Sequence, residues 1–259
     1  MNILEQIVAD KRIEIAARKK SQPLEELQAQ FSAIAPRPDF VAALREAPMG
    51  LIAEVKRRSP SAGVIRDPFD PPAIAREYEA AGASAISCLM DEKYFGGGAA
   101  DFSAVRNAVS LPMLYKEFVV DPWQIVHAKT MGASAVLLIV GALKDEELSS
   151  YIRAIRALEL CPLVEVHDRE EMQRAINAGG DCIGINNRNL KTFSTTLDTT
   201  FELVTMAPAG CTLVSESGIK APEDVAQLKA AGAHAVLVGE SLLREFSPGS
   251  AVTCLMELI

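Results

Sequence analysis

The chain has 259 residues, 49% of them hydrophobic and 23% charged, which leaves ample apolar material for a core. A net charge of −8 and an isoelectric point near 5.1 argue against a nucleic-acid or anionic-membrane surface, so an anionic ligand needs a local cationic pocket. No apolar run approaches the roughly twenty residues of a membrane span, and scattered cysteines without a CxxC pair fit a reduced, cytoplasmic setting.

Residues 1–47 read as an N-terminal helical extension. Ile3, Leu4, Ile7 and Val8 share one helical face, Leu24 and Leu27 begin a second short amphipathic stretch, and Pro36 and Pro38 break the pattern before a helix from Asp39. The first residues lack an apolar signal core and carry Glu5, Asp10 and Glu14, unlike a targeting peptide. So few large apolar groups cannot build a separate core. The extension is therefore expected to pack on the barrel, within one domain spanning 1–259.

From residue 51 onward apolar strands alternate with helical sequence. Four copies of one pattern, a Gly closing an Ala-rich helix and then a strand, place Gly82, Gly132, Gly179 and Gly232 at intervals of 50, 47 and 53 residues. A period near fifty fits two βα units. Between the copies lie LIAEVK, PMLYKEF, CPLVEVH and CTLVSES, which complete eight strands. Pro71-Pro72, Asp121-Pro122, Asp145-Glu146-Glu147 and Pro222-Glu223-Asp224 mark helix starts. The pattern predicts a (βα)8 TIM barrel, with its chemistry where the strands end.

Alternation assigns the inward face of each strand. Glu54 and Lys56 follow Ile52, Lys116 follows Leu114, Glu165 follows Leu163, Asn186 follows Gly184 and Glu216 follows Val214. The fourth strand offers only Leu137 and Ile139. One Lys–Glu pair at a barrel mouth can simply satisfy itself. Six converging polar groups, five of them ionisable, make an acid–base site the better reading, because buried charge is costly without compensation.

A second signal points to phosphate. Ser217-Gly218 follows the seventh strand, and Gly239-Glu240-Ser241 leads from the eighth into a helix, the usual phosphate grip of this fold. Tight turns alone would also account for these glycines, though less well for both loops together. RRSPSAG, residues 57–63, reads as a mobile lid carrying donors. Gly96-Gly97-Gly98 reads as a flexible turn rather than a dinucleotide fingerprint. Trp123 reads as a packing anchor. His127, His167 and His234 lack ligand spacing, so no metal is expected, and Ser59 and Ser217 lack the His–Asp partners of a nucleophile.

In order, EVKRRSPSAG, EKYFGGG, YKEF, LVEVH, IGINNRNL, SESGI and LVGESLL resemble the indole-3-glycerol-phosphate synthase family of tryptophan biosynthesis over nearly the whole chain. The resemblance implies cofactor-free ring closure of 1-(2-carboxyphenylamino)-1-deoxyribulose 5-phosphate, with loss of CO2 and water. It implies Lys116 as general acid and Lys56 as holder of the anthranilate carboxylate. Glu165 becomes the other acid–base group, with Glu54 orienting the lysines; on chemical grounds a glutamate of raised pKa suits the removal of a proton. Asn186, Glu216 and Arg188 complete the polar ring. Ser59, Ser217, Gly218, Gly239 and Glu240 hold phosphate, while Phe95, Phe118, Leu137 and Ile139 line the aromatic pocket. Gly98 stands where the family usually has Ser, Glu117 where it often has Asp, and Glu240 where some relatives have Ser. A monomer is expected, with at most weak association with other tryptophan-pathway enzymes. A phosphoribosylanthranilate-isomerase-like barrel, a Schiff-base aldolase using Lys116 or Lys56, and a binding barrel without turnover are the rival readings.

Overall fold

The computed structural model describes residues 2–31, 34, 38–189 and 192–259. Eight parallel strands close a barrel in chain order. The first is β1 (Gly50–Val55), and a hairpin of β2 (Arg58–Ser59) and β3 (Gly63–Val64) separates it from the second, β4 (Ala85–Leu89). The others are β5 (Met113–Lys116), β6 (Ala135–Ile139), β7 (Cys161–Val166), β8 (Cys182–Asn186), β9 (Thr212–Glu216) and β10 (Ala235–Val238), which pairs back to β1. Every predicted strand is present, and helices start at each proline pair and acidic turn named above. The four repeat glycines all have positive φ, the left-handed conformation that ends a helix cheaply only without a Cβ.

Alternation sorts the core as expected. Ile52, Leu114, Leu137, Ile139, Leu163, Val214 and Leu237 fill the barrel, while Leu51, Ala53 and Val55 face the helical layer. Register then brings the polar strand ends to neighbouring levels: Ile139 lies beside Glu165, Glu165 beside Gly184, and Asn186 beside Glu216.

The residues read as a lid form the short antiparallel hairpin of β2 with β3 instead of an irregular loop. It is tethered: Arg58 Nη2 donates to the carbonyls of Glu92 and Lys93 at 3.1 and 2.8 Å, and the Arg57 guanidinium lies 4.6 Å from the Phe69 ring centroid. The triple glycine is a close-packed turn, not a loose one. A Cβ on Gly97 would sit 2.1 Å from the Leu89 carbonyl oxygen.

Among the described residues, three α-helices precede the barrel: α1 (Ile3–Ser21), α2 (Leu24–Gln28) and α3 (Phe40–Glu46). The break expected at Pro36 lies outside the described residues. Phe40 and Leu44 of α3 join the cluster inside the barrel. Trp123 packs with Ile15 and Leu27, and its indole N–H donates to the Gln22 carbonyl at 2.9 Å. No helix among the described residues is long and apolar enough to cross a membrane.

The buried face of α1 holds Ile7, Lys11 and Ile15. Lys11 is only 1% exposed, and its Nζ lies 2.8 Å from Glu14, 2.9 Å from Asp91 and 3.0 Å from Glu117. Burial pulls the ammonium pKa down, but these carboxylates outweigh it and raise it. Burial also pushes Glu117 up to about 7 despite Lys11. A Lys11→Met variant leaves Asp91 and Glu117 facing each other without a cation. It is expected to lose about 3 kcal/mol at neutral pH, and less under mildly acidic conditions where Glu117 takes a proton. Urea unfolding at the two pH values checks this; an unchanged midpoint at both would show that the pair adds nothing.

Candidate active site

At the carboxyl ends of the strands lies an open cavity of about 1220 Å³, and every site residue singled out from the sequence lines it. Lys116 occupies the centre. Its Nζ is 3.0 Å from Glu165 Oε2 and 2.5 Å from Glu216 Oε2, with both carboxylates almost wholly buried. Lys56 pairs with Glu54, its neighbour on the same strand face. Asn186 Nδ2 donates to the remaining oxygen of Glu165 at 3.1 Å. Glu54 therefore orients one lysine directly, Lys56, and acts on Lys116 through its charge.

These groups drive one another apart in acidity. Burial pulls Lys116 down, but the charges of Glu165 and Glu216 raise its pKa well above the usual lysine value. Burial pushes Glu165 up, yet Lys116, His167 and Asn186 together hold it well below the usual carboxylate range. Burial pushes Glu216 up to about 7, with repulsion from Glu165 adding to it and Lys116 opposing. The glutamate of raised pKa is thus Glu216, and the expectation for Glu165 is corrected. Glu165 has the ammonium, the amide and an imidazole around it, whereas the buried Oε1 of Glu216 has no hydrogen-bond partner.

Glu216 reaches this position because β8 carries no side chain at Gly184, two residues before its register partner Asn186. A Cβ on Gly184 would lie 2.1 Å from Glu216 Oε1, and a Cβ on Gly239 would lie 2.6 Å from Glu54 Oε1. Gly184→Ala should therefore displace Glu216 from Lys116. The expected result is a loss of ten- to a hundredfold in kcat/KM, since misplacement by about 1 Å can cost that much. The melting curve should reveal a folded protein, overpacking costing roughly 1–3 kcal/mol. Wild-type kinetics in this variant would mean that the position of Glu216 is immaterial.

Directly after Glu216, Ser217 and Gly218 have successive left-handed backbones, φ +66° and +81°. A serine held there stores strain of the kind found at ligand clamps. Asn187, 2% exposed, fixes this turn by donating to Ser215 Oγ at 2.9 Å and to the Ser217 carbonyl at 3.1 Å. Ser59 is buried in the hairpin, where its Oγ accepts the Ala62 N–H at 3.2 Å. Arg188 Nη1 donates to Ser61 Oγ at 2.8 Å, and its Nη2 lies 3.8 Å from Glu240. The Glu240 carboxylate accepts Arg244 Nε and Nη2 at 3.0 and 2.8 Å, which, against partial burial, keeps its pKa low. Its side chain is engaged with arginines, so only the main chain at Gly239-Glu240 suits an anion.

The apolar wall is equally definite. Phe95 and Phe118 face each other at 5.9 Å between ring centroids, with Leu137 and Ile139 lining the cavity from the barrel. Ile3, Leu4 and Ile7 of α1 close the same side, a contribution beyond the residues read from sequence.

Sequence does not single out Gly184, Asn187 or His167, although each shapes the site. Gly184 was visible only as a spacer before Asn186. Asn187 comes next in the chain, on the opposite face of the strand. His167 reads from sequence only against metal binding, yet its Nε2 lies 3.3 Å from Glu165 Oε1 and its Nδ1 2.9 Å from Glu171 Oε2.

The sequence profile of the family described as indole-3-glycerol phosphate synthase matches residues 4–255. Indole-3-glycerol phosphate synthase from Acidithiobacillus ferrooxidans is 46% identical over 255 residues, covering 97% of each chain. The enzyme of that name from Burkholderia vietnamiensis is 46% identical over 258 residues, again covering 97% of both. Among solved structures, N-acetylmannosamine-6-phosphate 2-epimerase from Clostridium perfringens superposes with a TM-score of 0.62 at 16% identity, over 80% of this chain and 92% of that one, a likeness of fold alone. With the match running from α1 to the last helix, the chain belongs to the indole-3-glycerol phosphate synthase family.

Proposed function

We propose that this cavity converts 1-(2-carboxyphenylamino)-1-deoxyribulose 5-phosphate to indole-3-glycerol phosphate, CO2 and water, using its own residues. The observation that carries the assignment of roles is the placement of Lys116 between Glu165 and Glu216, beside a paired aromatic wall. The substrate's aromatic ring lies against Phe95 and Phe118, its carboxylate meets Lys56, and its phosphate is held by Ser59, Ser217, Gly218 and the main chain of Gly239-Glu240, with Arg188 nearby. Bound so, the substrate is folded with ring carbon against carbonyl, which is mainly a positioning task.

The ring carbon bearing the carboxylate attacks the ribulose carbonyl, and the oxygen takes a proton from Lys116 as the new C–C bond forms. A stable ammonium suits this step, because the developing alkoxide is far more basic than lysine. The C–CO2 bond then breaks and its electrons restore the ring, a step favoured where apolar walls strip water from the carboxylate. Water leaves as a lysine ammonium protonates the hydroxyl and Glu165, already ionised, removes the neighbouring C–H proton. Glu216, near neutrality in its acidity and 2.5 Å from Lys116, is placed to return a proton to it. One proton is drawn from solvent per turnover, matching the loss of a carboxylate as CO2.

Mixing the protein with this substrate and following indole absorbance and fluorescence tests the reading; a folded protein that produces none refutes it. Trapping by borohydride with substrate would instead favour the aldolase. Gly218→Val tests the phosphate grip. Its Cβ would sit 2.5 Å from Thr195 Cγ2 on a backbone at φ +81°. KM should rise roughly tenfold or more, the value of a hydrogen bond to a charged group, with kcat changed little. A fall in kcat at constant KM would take the phosphate away from this turn.

A further inference from the structure

Among the described residues, His167 is the charged group touching Glu165 that the reaction above does not use. It lies two residues after Glu165 at the end of β7, on the same face. Its Nε2 lies 3.3 Å from Glu165 Oε1, and that nitrogen is buried without a hydrogen bond of good geometry. Its other nitrogen and its own main-chain N–H both contact Glu171 Oε2 at 2.9 Å. Glu171 is fixed in turn: it lies in the first turn of the helix Arg169–Asn177, and its N–H is donated to the cap residue Asp168 at 2.9 Å. Gly141 makes room for it, because a Cβ there would meet Glu171 Oε1 at 2.8 Å. Three separate elements thus converge to hold one imidazole against one carboxylate.

We propose that His167 is a positioning residue: backed by Glu171, it clamps Glu165 toward Lys116 and supplies Glu165 with a positive neighbour that persists throughout turnover. This rests on the role of Glu165 given above. The need for such a neighbour comes from that chemistry. When Lys116 gives its proton to the carbonyl oxygen, Glu165 loses its nearest cation while still buried. A carboxylate so stranded would take up a proton and cease to be a base. Around Glu165 stand Lys116 from β5, Asn186 from β8 and Glu216 from β9, with Glu54 of β1 and Lys56 just after it beyond Lys116; β6 offers the apolar Ile139. Glu165 and Glu171 both face His167. Burial pulls the imidazole down, but the two carboxylates outweigh it and raise its pKa to about 10, so it stays charged at neutral pH.

The test is a pH titration of substrate-free protein labelled with 13C at glutamate carboxyls, with Glu165 identified by the resonance missing in Glu165→Gln. In His167→Gln, Glu165 should take up its proton at least about one pH unit higher than in wild type, the effect of losing one close opposite charge. The same variant should lose roughly tenfold in kcat with KM nearly constant. An unmoved Glu165 or an unaltered kcat overturns the proposal. Should His167→Gln fail to fold, Glu171→Gln serves: 15N shifts of His167 should then titrate at least about one unit lower than in wild type, and an unmoved imidazole overturns it. Since the titrations need no substrate, failure of wild-type turnover would refute the assigned reaction and leave the clamp separately decided.

Discussion

In Lys116→Met, kcat/KM is expected to fall by about a thousandfold or more, in a protein that remains folded at neutral pH. Methionine keeps most of the stem volume and removes the charge, so the change isolates the ammonium. Two consequences separate this from simple damage. Lys56, held by Glu54, is not expected to rescue the first step. The two carboxylates that shared Lys116, Glu165 and Glu216, then face each other in a buried site. Glu216, already raised to about 7, is pushed higher and holds a proton at neutral pH. Its folded pKa lies above its unfolded value, so the native state is least penalised below the unfolded value and loses stability as pH climbs through the folded one. Lys116→Met should therefore melt close to wild type near pH 6 and progressively below it toward pH 9, on the order of a few kcal/mol at the alkaline end. Kinetics and melting curves across that range check both halves. Activity near wild type would remove Lys116 from the chemistry altogether.

Glu165→Gln should cut kcat by roughly a hundredfold or more while affinity for a non-reacting substrate analogue changes little. The amide keeps the shape and still meets Asn186. Lys116 keeps Glu216 at 2.5 Å, so the cation stays in place to receive the substrate. What disappears is a buried carboxylate held ionised by Lys116, His167 and Asn186, and with it the base proposed for the C–H proton. A variant that turns over normally would exclude Glu165 from the mechanism. One that loses affinity as much as rate would place it in binding.

Much of this was legible in the chain because a closed parallel barrel writes its geometry into spacing. The fifty-residue period set the strand count, and alternation along six-residue runs put Glu54, Lys56 and Lys116 on the inner face without reference to any contact. Protonation states were beyond it. Glu165 and Glu216 look alike in sequence, and only the unequal sharing of Lys116, Asn186 and His167 separates them. Lys11 was hidden for a related reason: a lysine in an amphipathic helix reads as a solvated position unless its partners, here Asp91 and Glu117, are known to arrive from distant segments. The triple glycine misled because sequence reveals freedom of the backbone and not what presses on it; beside the Leu89 carbonyl, freedom is what lets Gly97 fit. His167 reads from sequence only as a rejected metal ligand, because the two carboxylates it meets, one on its strand and one on the next helix, are not visible as its partners there.

Gly184 and Gly239 give the cavity a property that none of its reactive groups has. Each is an opening in the barrel wall cut to the outline of a glutamate on the neighbouring strand. The acids are thus aimed from outside themselves, by residues with no chemistry of their own. Attempts to redirect this cavity by varying its charged positions alone would keep the old apertures and so return the new side chains to the old directions. Exchanging aperture and acid together, as in Gly184→Ala with Glu216→Asp, opens shapes that neither change reaches singly.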